Sequence, residues 1–204
     1  MDNPWEKISL SDYENHMKLD SVMQLQTMNQ MMKRQFGYPV SSVMILGIAG
    51  GNGLQHIDAN KFKKVYGIDI NEEYLNAVRK RYSDISDILE CIQLDLTTET
   101  DKLPKAELLI ANLLIEYIGY DCFQKAVERV KPQYVSCIIQ INTDDSWVSD
   151  SPYIHVFDDL DKVHHQIEES SLIRVMKEIG YKPIKQLERP LPNGKKLVQS
   201  DFKC

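Results

Sequence analysis

Four of the nine glycines lie in one stretch, Gly47-Ile48-Ala49-Gly50-Gly51-Asn52-Gly53, directly after the apolar run Val43-Met44-Ile45-Leu46. A plain strand-to-helix turn needs one glycine, whereas a cluster lets the backbone turn sharply and lets something approach it closely. A strand, a glycine loop and then a helix present backbone N–H groups to a nucleotide-like ligand. A dinucleotide loop needs Gly-x-Gly-x-x-Gly or Ala. Counted from Gly51, the last position is His56, and the frames from Ala49 and Gly50 fail as well. An NAD-linked oxidoreductase is therefore the weak reading. The spacing that fits is small-x-Gly-x-Gly at Ala49, Gly51 and Gly53. Asp69 ends the next apolar run 18 residues after Gly51, close to the ~20 expected of a carboxylate that grips ribose hydroxyls. The plainer role for Asp69 is to cap the helix that follows.

Proton transfer has its own candidates. Tyr13, Glu14 and His16 lie near the N-terminus, Glu116 and Tyr117 follow one apolar run, and Asn142 follows another. His16 has the ordinary pKa best suited to moving a proton near neutrality. His164 falls on the apolar side of an expected helix and reads as structural, while His155 and His165 stay open. No His, Cys or carboxylate cluster has the spacing of a metal site.

These residues need a scaffold, and the chain alternates short apolar runs with helical patterns from about residue 40, the signature of a parallel sheet flanked by helices. Strands are expected at 43–46, 64–68, 91–94, 108–111 and 134–141. The runs are unbroken rather than alternating, as in strands covered on both faces. Asn71 should cap a helix whose first turn holds Glu72 and Glu73 and whose Tyr74, Leu75, Val78 and Tyr82 face the sheet. Another helix is expected at 121–130, ended by Pro132, and a third at 159–179, closed by Gly180. Strands at 181–190 and 196–202 flank Pro192-Asn193-Gly194-Lys195, a tight-turn sequence that predicts an antiparallel hairpin. Before the sheet, residues 11–36 read as two helices opened by capping boxes at Ser11–Glu14 and Ser21–Gln24. They carry five of the eight methionines, side chains suited to packing or to a pliable cover over a ligand.

Composition narrows the setting. With 204 residues the chain has the length of one domain, or at most one domain with a small appendage, and it needs no disulfide or metal to fold. A net charge of −6 argues against a broad nucleic-acid footprint. Leu108 to Ile115 is far short of the ~20 residues of a membrane helix, and Met1-Asp2-Asn3-Pro4-Trp5-Glu6 lacks the features of a signal peptide. Cys91, Cys122, Cys137 and Cys204 are dispersed, as reduced thiols in a cytoplasmic protein would be.

Four segments now act together. Ile45–Gly53 (ILGIAGGNG), Val65–Ile70 (VYGIDI), Cys91–Leu96 (CIQLDL) and Glu107–Tyr117 (ELLIANLLIEY) resemble, in order, the motifs of class I S-adenosylmethionine-dependent methyltransferases. The resemblance covers residues 40–204. It implies a doubly wound, mostly parallel seven-stranded α/β sheet with a C-terminal antiparallel hairpin. The Rossmann-like methyltransferase domain would span residues 39–204, under an N-terminal helical cap at 1–38 that serves as a lid. The implied cofactor is S-adenosyl-L-methionine. Gly47, Ala49, Gly50, Gly51, Asn52 and Gly53 would lie along its methionine part and Asp69 would hold its ribose. Ile70 would pack on the adenine, Asp95 would meet the adenine amino group and Leu96 would wall that pocket. Asn112 and Leu113 would reach the methionine end. The family often has an acidic residue where this chain has Gly47, and a glycine where it has Ala49, so the cofactor's amino group needs another partner here.

The expected activity is methyl transfer to a small-molecule acceptor, with His16, Tyr13 and Tyr117 as the catalytic candidates. No nucleic-acid or membrane partner is expected. A catalytically silent relative that binds the cofactor or a protein partner is the alternative.

Overall fold

The structure is a computed structural model that describes residues 3–142 and 148–204. Met1 and Asp2 of the segment read for targeting signals lie outside it.

Seven strands form one sheet: β1 (Ser42–Leu46), β2 (Lys64–Asp69), β3 (Leu89–Gln93), β4 (Leu108–Asn112), β5 (Tyr134–Ile141), β6 (Lys182–Pro190) and β7 (Lys196–Lys203). Their order is β3-β2-β1-β4-β5-β7-β6. The first five strands pair in parallel, and β7 runs antiparallel to both β5 and β6. The order departs from the 3-2-1-4-5-6 of dinucleotide-binding sheets, because the Asn193-Gly194 turn folds the last strand back between β5 and β6. Strand order reverses between β1 and β4, where α/β sheets open their ligand crevice. Leu46 pairs with Ile68 on one side and Ala111 on the other. The glycine loop, Asp69 and Asn112 therefore leave the sheet side by side.

The helices are α1 (Leu10–Lys18), α2 (Gln24–Gln35), α3 (Glu72–Arg81), α4 (Ile115–Val130) and α5 (Glu169–Glu178). Alternate strand residues divide the core into two layers. Met44, Leu46, Leu109 and Cys137 face Phe123 and Val127 of α4 and Leu172 and Met176 of α5. Val43, Ile45, Leu108 and Ile110 face Met28, Met31 and Met32 of α2 and Leu75 and Val78 of α3. Each fully buried side chain of this size contributes roughly 1.5–3 kcal/mol. α2 is thus one of the sheet's covering helices, and the packing crosses residue 38 without a seam.

Three local expectations give way to tertiary contacts. Ser9, not Ser11, caps α1, accepting from the Asp12 N–H at 3.1 Å. No box forms at Ser21–Gln24. The chain turns there through Leu19, whose carbonyl accepts from the N–H groups of Val22 and Met23. Val22 is fully buried, and Met23 enters α2 at φ 54°. The helix expected over 159–179 is a 3-10 helix at Ile154–Lys162, a non-helical stretch, and then α5. In that stretch the His165 N–H donates to the Glu116 carbonyl, the Glu168 N–H donates to the Tyr120 hydroxyl, and that hydroxyl donates back to the Glu168 carbonyl. α4 thus takes over the hydrogen bonds a helix would have made. α4 itself starts at Ile115, earlier than expected, and bends at Gly119 (φ 72°).

Among the described residues, no helix is long and apolar enough to cross a membrane.

Candidate functional site

Asp69 anchors the crevice. Its Oδ2 accepts from the Ala49 N–H at 2.8 Å and its Oδ1 from the Asn71 N–H at 3.0 Å. The residue is 8% exposed. Burial pushes the carboxyl up to about 6, against the pull of these N–H bonds. Each carboxylate oxygen has two lone-pair sites, so these bonds leave acceptor capacity on a residue that lines the cleft. Asn71 also caps α3, accepting from the Glu73 and Tyr74 N–H groups.

The cleft beside Asp69 is walled by Gly47, Ala49, Ile70, Asp95, Leu96 and the Asn112–Leu114 turn. Asp95 Oδ1 accepts from the Thr97 N–H and hydroxyl, while its second oxygen has no partner among the described residues. Leu113 and Ala49 hold left-handed backbone, at φ 51° and 46°. Such strain in a non-glycine residue persists only where its surroundings impose it. Leu113 is fixed by its N–H, which donates to the Ile138 carbonyl at 2.7 Å.

The remaining loop residues turn the other way. A side chain at Gly51 would meet the Tyr82 ring, one at Gly53 would meet Met32, and one at Gly50 would meet the Glu14 carboxylate and Arg81. Asn52 bonds Asn29 and the Leu25 carbonyl. Gly47 and Ala49 border the cleft, Gly50 and Asn52 line a smaller space with Gly47, Ala49, Glu14 and Asn112, and Gly51 and Gly53 seat the loop on α2 and the end of α3. Glu14 and Arg81 form a two-pronged pair, and Arg81 also donates to the Gly50 carbonyl at 3.0 Å. Asn112 makes a reciprocal amide pair with Gln35 of α2, both bonds at 2.9 Å.

Over the cleft lies a strap, residues 3–8, within the segment that the sequence reads as a cap. Asn3 and Trp5 of the strap and Tyr13 of α1 line the cleft. The Trp5 carbonyl accepts from the Asn71 side-chain amide at 3.0 Å, and the Ile8 carbonyl accepts from the Tyr74 hydroxyl at 2.8 Å. Under this strap the cleft encloses about 80 Å³, well below the roughly 300–1,000 Å³ of ligand sites.

A larger pocket of about 580 Å³ adjoins it, and Trp5, Tyr13, Leu113 and Tyr117 line both spaces. The larger pocket also takes in His16, Glu116, Phe157 and His164. His16 is 4% exposed, with Nδ1 2.8 Å from the Ser151 hydroxyl and its ring 4.7 Å from that of Phe157. Burial, with Lys195 nearby, lowers its pKa, so it is neutral at neutral pH. Burial likewise raises the Tyr13 and Tyr117 hydroxyls. Both tyrosines therefore hold their protons and act as donors or as walls. His164 stands against Tyr117 rather than in a helix core. His155 is exposed beside Asp158. Among the described residues no group of three or more His, Cys, Asp or Glu could hold a metal ion.

No family model and no curated protein matches the chain. Solved structures do. The methyltransferase domain of bacterial CtHen1-C aligns with a TM-score of 0.64 at 16% identity, over 88% of this chain and 97% of that one. Geranyl diphosphate C-methyltransferase from Streptomyces coelicolor, in complex with Mg²⁺, geranyl diphosphate and S-adenosyl-L-homocysteine, aligns at 0.65 and 10%, over 87% and 80%. The [4+2]-cyclase SpnF aligns at 0.67 and 6%, over 89% and 82%.

The chain has the class I methyltransferase fold.

A cyclase among these likenesses shows that the class I methyltransferase fold leaves the reaction to the site it carries. In this representative the crevice at the β1–β4 reversal, the carboxylate closing β2 and the pocket beyond β4 and β5 lie at the carboxyl ends of the strands. Trp5 and Phe157 are among the pocket residues that sequence reasoning passed over, and His164, which it read as structural, lines the pocket as well. Trp5 stands outside every periodic segment, so only its size and early position could have marked it.

Proposed function

We propose that the chain transfers a methyl group from S-adenosyl-L-methionine to a small-molecule acceptor. The observation that carries this reading is the shared wall: Leu113, Tyr117, Tyr13 and Trp5 border both the Asp69 cleft and the 580 Å³ pocket. A donor seated in the first would meet an acceptor in the second. When bound, S-adenosyl-L-methionine supplies a methyl group on an electrophilic sulfonium.

The residues present fit that group. Asp69 retains acceptor capacity for vicinal hydroxyls, and each such bond to a charged group contributes about 1.5–3 kcal/mol. Ile70 and Leu96 give an apolar slot for a flat base, with the second oxygen of Asp95 at its edge to accept from an amino group. Glu14, fixed by Arg81 beside Gly50, brings a carboxylate to the glycine loop where Gly47 has none. Volume is the condition: the strap carrying Trp5 has to lift before a ligand enters and to settle afterwards. Its return excludes water and holds the reactants in line, which can supply about 7–11 kcal/mol.

In the larger pocket the chain handles the acceptor. His16, neutral and backed by Ser151, is placed to accept a proton, and Tyr13 and Tyr117 narrow the passage between the two spaces. The negative net charge and a pocket of small-molecule size favour a small acceptor over a nucleic acid. A silent cofactor-binding protein is the alternative.

Mass spectrometry of the purified protein for carried-over S-adenosyl-L-methionine or its demethylated product, followed by calorimetry with S-adenosyl-L-homocysteine, tests the reading. A chain that carries neither compound and shows no binding heat would overturn it. Binding without consumption of the methyl donor across an acceptor panel would leave the silent alternative.

A further inference from the structure

The acceptor pocket holds one charged group whose bonding is incomplete. Glu116 opens α4 and is 5% exposed. Its Oε1 accepts from the Gln140 N–H of β5 at 2.9 Å. Its Oε2 is buried with no hydrogen-bond partner among the described residues. Buried carboxylates ordinarily have every strong acceptor satisfied. A purely structural link from α4 to β5 would need only Oε1, and a glutamine would make it without a buried charge. Glu116 is among the residues that line a pocket large enough for a small molecule, and a ligand donor reaching the carboxylate from that pocket would complete it.

The walls say which donor. Trp5 lies edge-on to Tyr13, with ring centres 5.8 Å apart, and to Tyr117, at 4.9 Å, and Phe157 closes the far side. The faces of aromatic rings attract a cation and repel an anion. The lysine on this pocket, Lys196, is engaged by Glu188 at 2.8 Å. An anionic ligand would be repelled by Glu116, with the buried Lys195 near His16 the cation closest to this pocket apart from Lys196, and a neutral alcohol would use the carboxylate but not the rings. An ammonium group uses both.

We propose that Glu116 selects and deprotonates the acceptor, and that the acceptor is a small primary or secondary amine on an apolar body. This rests on the methyl-transfer reading above for its purpose, but not for its geometry. In the proton step one N–H bond of the ammonium breaks and its proton forms an O–H bond at Oε2. The amine keeps the electron pair as a free lone pair, and Glu116 becomes a neutral carboxyl. The amine lone pair then faces the passage at Leu113 and Tyr117.

The test uses the full chain and matched probes: 2-phenylethylamine against 2-phenylethanol, and cyclohexylamine against cyclohexanol. Their binding is followed at pH 8 by quenching of tryptophan fluorescence. In the wild type each amine should bind at least tenfold tighter than its alcohol. In Glu116→Gln, which keeps the acceptor for Gln140, the two should bind within twofold. Equal affinities in the wild type, failure of either amine to bind at millimolar concentration, or a preference that survives in a folded Glu116→Gln would each overturn the proposal. The wild-type comparison stands even if the variant does not fold. Calorimetry with S-adenosyl-L-homocysteine is read separately: an amine preference in a chain that ignores this compound supports Glu116 and removes the methyl donor.

Discussion

The backbone N–H of Ala49 donates to Asp69 Oδ2 at 2.8 Å, so the loop after β1 hangs on the carboxylate that closes β2. The same side chain that would hold ribose hydroxyls therefore also shapes the loop. Asp69→Asn keeps the volume but removes the charge and sets an amide N–H₂ against one of two backbone donors. Affinity for S-adenosyl-L-homocysteine should fall at least tenfold, about 1.4 kcal/mol, with a stability loss of about 1–3 kcal/mol. Burial holds this carboxyl up to about 6. Wild-type affinity should therefore drop as pH falls through 6, while the variant stays flat. Calorimetry from pH 5 to 8 checks both, and an unchanged affinity would take Asp69 out of the site.

Gln35 and Asn112 exchange two amide hydrogen bonds at 2.9 Å, and Gln35 also donates to the Ser136 hydroxyl at 2.8 Å. Gln35 is fully buried. Gln35→Leu fits the volume but leaves the Asn112 amide and Ser136 short of partners. A loss of about 2–4 kcal/mol in chemical denaturation is expected from two or more unsatisfied buried groups. The residue after Asn112, Leu113, carries the strained turn, so the loss should come with weaker cofactor binding. A variant as stable as the wild type would show that the pair is not what joins α2 to β4.

Much of this was legible in the sequence for a local reason. Unbroken apolar runs followed by Gly47, Asp69 and Asn112 give both the strand and the point where it ends, because parallel strands are buried on both faces. The Asn193-Gly194 turn gave the hairpin, since its backbone can take the required turn. Legibility failed where distant partners decide. Ser11 has capping spacing, but Ser9 is the residue placed to cap α1. Residues 163–168 have helical character, but Glu116 and Tyr120 supply their hydrogen bonds. At the site, Asp69 and Gly47 were marked by motif spacing. The environment of Glu116 depends on β5 and on Trp5, more than a hundred residues from each other in sequence, and no local pattern encodes that.

Glu116 makes stability depend on pH in a direction that can be fixed in advance. Burial raises its carboxyl from 4.5 to about 7. Between those values the folded chain binds more protons than the unfolded one, so stability falls as pH rises through that window. The contribution is fully present below 4.5 and lost above about 7. A displacement of this size corresponds to on the order of 3 kcal/mol. Glu116→Gln has no such proton, so relative to the wild type it should gain stability by about 1–3 kcal/mol at pH 8 and lose that advantage near pH 4.5. Urea denaturation of both proteins at five pH values measures the difference, and parallel curves would mean that Glu116 titrates normally.

The strap packs through Trp5 and Ile8 on a small apolar cluster with Phe157 and Leu160, apart from the two layers that cover the sheet, which makes it separable where α2 is not. The Trp5 and Ile8 carbonyls each take one side-chain hydrogen bond, from Asn71 and Tyr74, and Pro4 and Ile8 are buried. Ser9, the cap of α1, lies just beyond. A chain that begins at Ser9 should keep the sheet and α1, with a stability loss of about 2–4 kcal/mol from the lost burial. The cleft would then stand open above Asp69. Association of S-adenosyl-L-homocysteine, followed by stopped-flow, should quicken at least tenfold, because binding no longer waits for the strap to lift. Any methyl transfer should slow, because water reaches the passage between Leu113 and Tyr117. By contrast, removing residues 1–36 takes away Met28, Met31 and Met32 and should unfold the chain, since these side chains cover β1 and β4. An association rate unchanged by the shorter deletion would mean that the cleft opens by another route.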